Sequence, residues 1–143
     1  NGLYTPLSLR KGLFNESKRV INEDTAKTLL SMLEKVVEDG TSKKATVNGY
    51  RVGGKSGTAW KTSGAGGYST DRYRSIFAGI APIDDPRLVA VVFIEEPTGE
   101  FYYGGDVAAP VFSEIISQSL QLLSIPPQGL ITKPDLVADN KND

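Results

Sequence analysis

Cysteine and histidine are both absent from the 143 residues. Their absence removes thiol nucleophiles, Cys/His zinc sites and every mechanism with a histidine base. A Ser-His-Asp triad cannot be assembled within this chain, so a hydroxyl nucleophile would need lysine as its base. Charge of one sign is lacking too: sixteen Lys and Arg stand against seventeen Asp and Glu. No segment carries a basic stripe, and nothing argues for nucleic acid held through its phosphates. No apolar run approaches the roughly 20 residues of a membrane span. No signal peptide opens the chain. What remains is the composition of an ordinary globular domain, long enough to bury a core.

Residues 1–21 show no clean period. Pro6 and Gly12 interrupt them, and they read as connecting structure. Asn22 is placed as a helix N-cap with Glu23 and Asp24 in the first turn. Ala26, Leu29, Leu30, Leu33, Val36 and Val37 recur at helical spacing, and Gly40 sits where a glycine cap belongs. The pattern predicts a helix over Glu23–Asp39. A polar loop over 41–48 follows, then a glycine-rich strand over Gly49–Trp60. Lys61–Asp71 reads as a flexible connection and Tyr73–Ala81 as a second strand. Pro82 to Pro86 is a turn. Leu88–Ile94 is a continuous apolar run, which predicts a strand buried on both faces.

Tyr102 to Gly105 reads as a loop. A second helix is expected over Val107–Ser124, with Val111, Phe112, Ile115, Ile116, Leu120 and Leu123 on its apolar face. Pro110 is tolerable near its first turn, and Pro126-Pro127 stop it. The tail, 128–143, is polar and expected to be mobile. The order helix, three strands, helix predicts an α+β fold: an antiparallel three-stranded sheet with flanking amphipathic helices.

The sharpest local feature is Gly54-Lys55-Ser56-Gly57-Thr58-Ala59. On a strand, Ser56 and Thr58 point to one side and can converge on one anion, such as a carboxylate. Lys55 adds positive charge, but alternation puts it on the other side. All three serve one site only if the strand presents its edge or bulges locally. Gly57 lets a ligand backbone approach, and an open edge can pair with an extended peptide. Without further context the segment is equally a glycine-rich edge strand with a solvated lysine. Gly49 to Ser56 also fits the phosphate-loop expression formally. Bulky Tyr50, Arg51 and Val52 fill that loop, however, and Gly57 opens no helix.

Lys-Ser/Thr-Gly is a signature of penicillin-binding proteins and serine β-lactamases. Gly49 to Ala59, Tyr73 to Pro82, Glu95-Glu96-Pro97 and Tyr102 to Phe112 resemble class B penicillin-binding proteins, especially the division type of Gram-negative bacteria. The resemblance runs from Asn1 to about Pro127. It marks 1–127 as the C-terminal portion of a transpeptidase domain and 128–143 as a tail. It implies part of the penicillin-binding and serine β-lactamase-like fold. It also implies a D,D-transpeptidase that cross-links peptidoglycan stem peptides and is acylated by β-lactams, with no cofactor or metal. In such an enzyme Lys55 organises the site, and Ser56 and Thr58 bind the donor carboxylate. The Thr58 N–H serves the oxyanion, and Tyr68, Tyr73 and Tyr102 wall the cleft. The parent is expected on the periplasmic face of the inner membrane, anchored by an N-terminal segment, with division proteins as partners.

Two family motifs have no credible match. Ser8-Leu9-Arg10-Lys11 fits Ser-x-x-Lys formally, but Gly12 follows and no apolar helix continues. Thr46-Val47-Asn48 is a loose echo of Ser-x-Asn. The nucleophile is therefore expected upstream of Asn1, in the missing part of the same domain. Rival readings are an elongation-type transpeptidase, a β-lactamase-like hydrolase and a non-catalytic penicillin sensor.

Overall fold

The computed structural model describes residues 2–10, 15–62 and 66–127. Its elements are β1 (Leu3–Tyr4), β2 (Lys18–Arg19), α1 (Glu23–Glu38), a 3-10 helix (Lys43–Ala45), β3 (Gly53–Thr62), β4 (Tyr68–Ala81), β5 (Leu88–Glu95) and α2 (Gly104–Leu122). The α+β expectation is met. The expected mobile tail, 128–143, lies outside the described residues, as does Gly12.

The chain opens on a two-residue pairing of β1 with β2, which the sequence pattern had not shown. Asn22 caps α1 as expected, its side chain accepting the Asp24 N–H at 2.8 Å. At the other end Asp39 is the cap, and its N–H bonds to the Lys35 carbonyl. Gly40 has a different use from the left-handed cap expected of it. A Cβ there would lie 2.6 Å from the Val36 carbonyl oxygen. The expected face turns inward, with Ala26 and Val37 buried and Leu30, Leu33 and Val36 half-buried, but Leu29 is exposed and Glu34 joins the face, buried at 5%. That burial is tolerable because Arg51 grips both Glu34 oxygens, Nε and NH2 each at 2.6 Å, and also pairs with Asp84. The pair ties α1 to the approach to β3.

β3 begins later than expected. Val47 and Tyr50 close a tight turn, with Gly49 at φ +81° where a side chain is disfavoured. Past this turn the three strands pair antiparallel in the order β3-β4-β5. The stretch expected as a flexible connection is largely strand, since β3 runs to Thr62 and β4 starts at Tyr68. Ion pairs across the sheet support this extension: Lys61 bonds Glu95 at 2.7 Å and also Glu96, while Arg74 reaches Glu95 at 3.3 Å.

One sheet face carries Gly54, Phe77, Gly79 and Val92 and is covered by α2. Phe77 and Phe112 meet edge to face at 4.8 Å. Gly54 and Gly79 lie directly opposite each other and make the room. A Cβ on Gly79 would stand 2.5 Å from the Phe112 ring. The other face corrects an expectation. β5 is not buried on both sides, because Val89, Val91 and Phe93 are 72%, 64% and 51% exposed. An unbroken apolar run reports what both faces are made of. Among the described residues α1 packs on that other face only at β3, where a Cβ on Gly53 would meet the backbone of Leu33 and Glu34, and over β5 the one cover is α2.

The sheet order also sets where backbone protection lies. Among the described residues β3 and β5 are both edges, and only β4 has partners on each side. Amide exchange is expected to be slowest in Ile76–Gly79 and faster in both flanking strands. Equal protection of β5 and β4 in the 143-residue chain would show that something else pairs with β5.

Candidate active site

β3 presents its free edge beside the start of α2. Ser56 and Thr58 share the face that α2 covers, and Lys55 is on the opposite face, as alternation requires. Lys55 nevertheless curls around the edge, its Nζ donating to the Ser56 carbonyl at 2.8 Å. The edge geometry that the sequence demanded is therefore met without a bulge at these residues. A hollow of about 550 Å³ is lined by Thr41, Lys55, Ser56, Thr58, Tyr103, Gly105 and Asp106.

Four of those residues were not singled out in the sequence. Thr41 Oγ1 stands 3.5 Å from Ser56 Oγ, bringing a hydroxyl from the turn after α1. Gly105 allows close packing, since a Cβ there would strike the Thr41 carbonyl. Asp106 lies in the first turn of α2 and pairs with Lys44 at 2.8 Å. The adjacency of Tyr-Tyr-Gly-Gly-Asp was the one available signal for Tyr103, Gly105 and Asp106.

The electrostatics favour an anion. Lys44 offsets the Asp106 carboxylate, leaving the Lys55 charge uncompensated within the lining. The Tyr103 phenol is pushed above its ordinary value by its hydrogen bond with Tyr102. It stays neutral at working pH and adds no opposing charge. Among the described residues no group of three or more acids gathers as a metal site would need. A separate hollow beside α1 is lined by Glu34 and Arg51, whose charges already satisfy each other.

The predicted aromatics divide. Tyr73 and Tyr102 stack face to face at 4.0 Å beside the hollow, and Tyr102 also touches Tyr103 at 4.4 Å. Tyr68 lies further along, edge-on to Trp60 at 6.4 Å. It lines a second hollow with Thr58, Ala59 and Trp60. Ser8 is exposed just before a bend at Leu9 and Arg10, its Oγ accepting the Arg10 N–H at 3.1 Å, and opens no helix. Lys11 lies outside the described residues. Thr46 and Asn48 fall on the turn before β3, away from the hollow's lining.

The family model described as "penicillin binding protein transpeptidase domain" matches residues 1–117. The chain belongs to this family.

One relative, the probable peptidoglycan D,D-transpeptidase PbpC of Pseudomonas aeruginosa, is 45% identical over 99% of this chain. Stage V sporulation protein D of Bacillus subtilis is 45% identical over 78% of the chain. These alignments span 25% and 17% of the two relatives, so the chain corresponds to a minor part of each. Among solved structures, the apo transpeptidase domain of penicillin-binding protein 3 from Burkholderia pseudomallei superposes with a TM-score of 0.77 at 43% identity. That match covers 88% of this chain and 39% of that one. The transpeptidase family thus accounts for the architecture as well as the motifs.

Proposed function

We propose that this chain supplies the carboxylate-binding wall of the active site in a class B peptidoglycan D,D-transpeptidase that serves cell division. One observation carries the reading. Ser56 and Thr58 sit side by side on an open strand edge, with the Lys55 ammonium wrapped onto that same edge. The donor stem peptide pairs with β3 as an added strand, and its terminal carboxylate meets the two hydroxyls. Lys55 organises charge, and the Thr58 N–H polarises the scissile carbonyl. A Cβ on Gly57 would meet only Ile76 Cβ, at 3.8 Å, so packing within the chain does not demand glycine there. Access for the ligand does. Tyr73 and Tyr102 wall the cleft near the carboxylate, and Tyr68 borders its extension.

The nucleophile comes from the rest of the domain, since the chain spans 39% of the solved relative. The parent is anchored at the periplasmic face of the inner membrane and works with division proteins. The described residues contain no helix long and apolar enough to cross a membrane.

The full-length protein incubated with a fluorescent penicillin should form a stable acyl adduct. Thr58→Val keeps the side chain's shape and removes one hydroxyl from a charged ligand. A hydrogen bond to a charged group contributes about 1.5–3 kcal/mol, so acylation should fall roughly ten- to a hundredfold. Unchanged kinetics would separate Thr58 from the carboxylate. Rapid release of hydrolysed drug would favour a β-lactamase-like hydrolase instead. Stable acylation without cross-linking of stem peptides would favour a sensor.

A further inference from the structure

Thr58 and Ser75 are directly opposite each other in the β3–β4 ladder, with side chains on the same face. Both hydroxyls reach the same short turn. Ser75, fully buried, donates to the Tyr102 carbonyl. Thr58 Oγ1 accepts the Gly104 N–H at 3.0 Å. The turn from Tyr102 to Gly104 is thus held at its two ends by one cross-strand hydroxyl pair.

We infer that Ser75 is a positioning residue: with Thr58 it clasps the Tyr102–Gly104 turn, and the clasp fixes the Thr58 hydroxyl as a hydrogen-bond donor toward the bound carboxylate. This rests on the reading of the site proposed above.

Donor and acceptor capacity sets which way the hydroxyl points. A hydroxyl has one proton to donate and two lone pairs. A free threonine hydroxyl can present either to the cleft. Here one lone pair is committed to Gly104, so the proton is left to point elsewhere. A carboxylate accepts only, and it needs that proton.

The amide that imposes this order is one of the unsatisfied N–H groups of a helix start. Tyr103, in the N-cap position, makes no side-chain cap bond. Thr58 therefore fills the capping role from another element. Ser75 keeps the amide in place by holding the carbonyl two residues before it. The same bond sets Tyr102, whose ring stacks on Tyr73 at 4.0 Å. Ser75 itself never meets the ligand.

The test uses the full-length protein and measures acylation by benzylpenicillin and by its methyl ester, which lacks the anion. Ser75→Ala should slow acylation by the free acid roughly tenfold while the ester rate changes little. The loss should fall on the apparent affinity and leave the limiting rate near that of the unaltered protein. Thr58→Ala with Ser75→Ala should react no more slowly than Thr58→Ala alone, because both act through one hydroxyl. Ser75→Cys keeps the volume with a weak donor, and an intermediate loss is expected; it carries the test if the alanine variant does not fold. Equal losses with acid and ester, or losses that multiply in the double variant, would reduce Ser75 to a packing role. If the unaltered protein is not acylated at all, the transpeptidase reading falls together with this one. Acylation with an unchanged acid-to-ester ratio in both Ser75 variants overturns this inference alone.

Discussion

Gly104→Ala in the full-length protein is expected to lower acylation by β-lactams about a hundredfold or more. A Cβ at this position would stand 2.5 Å from the Gly57 carbonyl oxygen and closer still to that of Ile76. Both are backbone atoms of the paired strands β3 and β4, and neither can swing away as a long side chain would. The start of α2 must retreat instead. Its retreat withdraws the amide from Thr58 and drags Asp106 and Tyr103 from the hollow they line. Displacing a positioning group by an ångström costs on the order of a hundredfold in rate. Gly99→Ala is the control, because a Cβ there meets nothing within 4 Å. Acylation of the Gly104 variant within threefold of the control would show that α2 does not set the site.

Phe112→Ala is expected to destabilise the protein by about 3–5 kcal/mol, toward the upper end of that range. Phe112 is fully buried, with its ring against Phe77. The cost of such a truncation depends on how far the surroundings collapse into the void. Gly79 lies beneath the ring and has no side chain to move in. Phe77 is also fully buried and closely held. Urea unfolding followed by circular dichroism reads the loss. A change below 2 kcal/mol would mean that α2 does not seat on the sheet through this ring. Since α2 carries Gly104 at its start, the variant should also acylate more slowly at temperatures where it remains folded.

How much was legible depended on the range of the interaction. α1 was readable because its signals are local. Asn22 caps it, acids fill its first turn, and apolar residues repeat along it. The three strands and their antiparallel order followed from short connections between β-rich segments. Strand ends were less legible. Lys61 extends β3 because Glu95 and Glu96 wait across the sheet, 34 and 35 residues onward in sequence. Nothing local marks Glu34 for burial; its partner Arg51 lies 17 residues onward and meets it only in the fold. The burial expected of β5 failed for a related reason: residue type reports what a face can tolerate, whereas burial requires a partner to cover it.

The sequence alone determined the chemistry available to this protein. The lack of histidine and cysteine and the Lys-Ser-Gly-Thr strand follow from residue identity, and the segments Gly49 to Ala59, Tyr73 to Pro82, Glu95 to Pro97 and Tyr102 to Phe112 carried the family resemblance. It also required an exposed strand edge or a local bulge to bring Lys55 to the site of Ser56 and Thr58, and the structure uses the edge. The tertiary structure decided how those groups are held. Thr41 reaches the hollow from a turn that carries no motif, and Lys44 pairs with Asp106 at its lining across 62 residues of sequence. Ser75 faces Thr58 only through strand register, and the Gly104 amide meets Thr58 only because glycine lets α2 touch the sheet's backbone. A hydroxyl's residue type says that it can donate or accept; which of the two it does is set by the neighbour that folding brings to it.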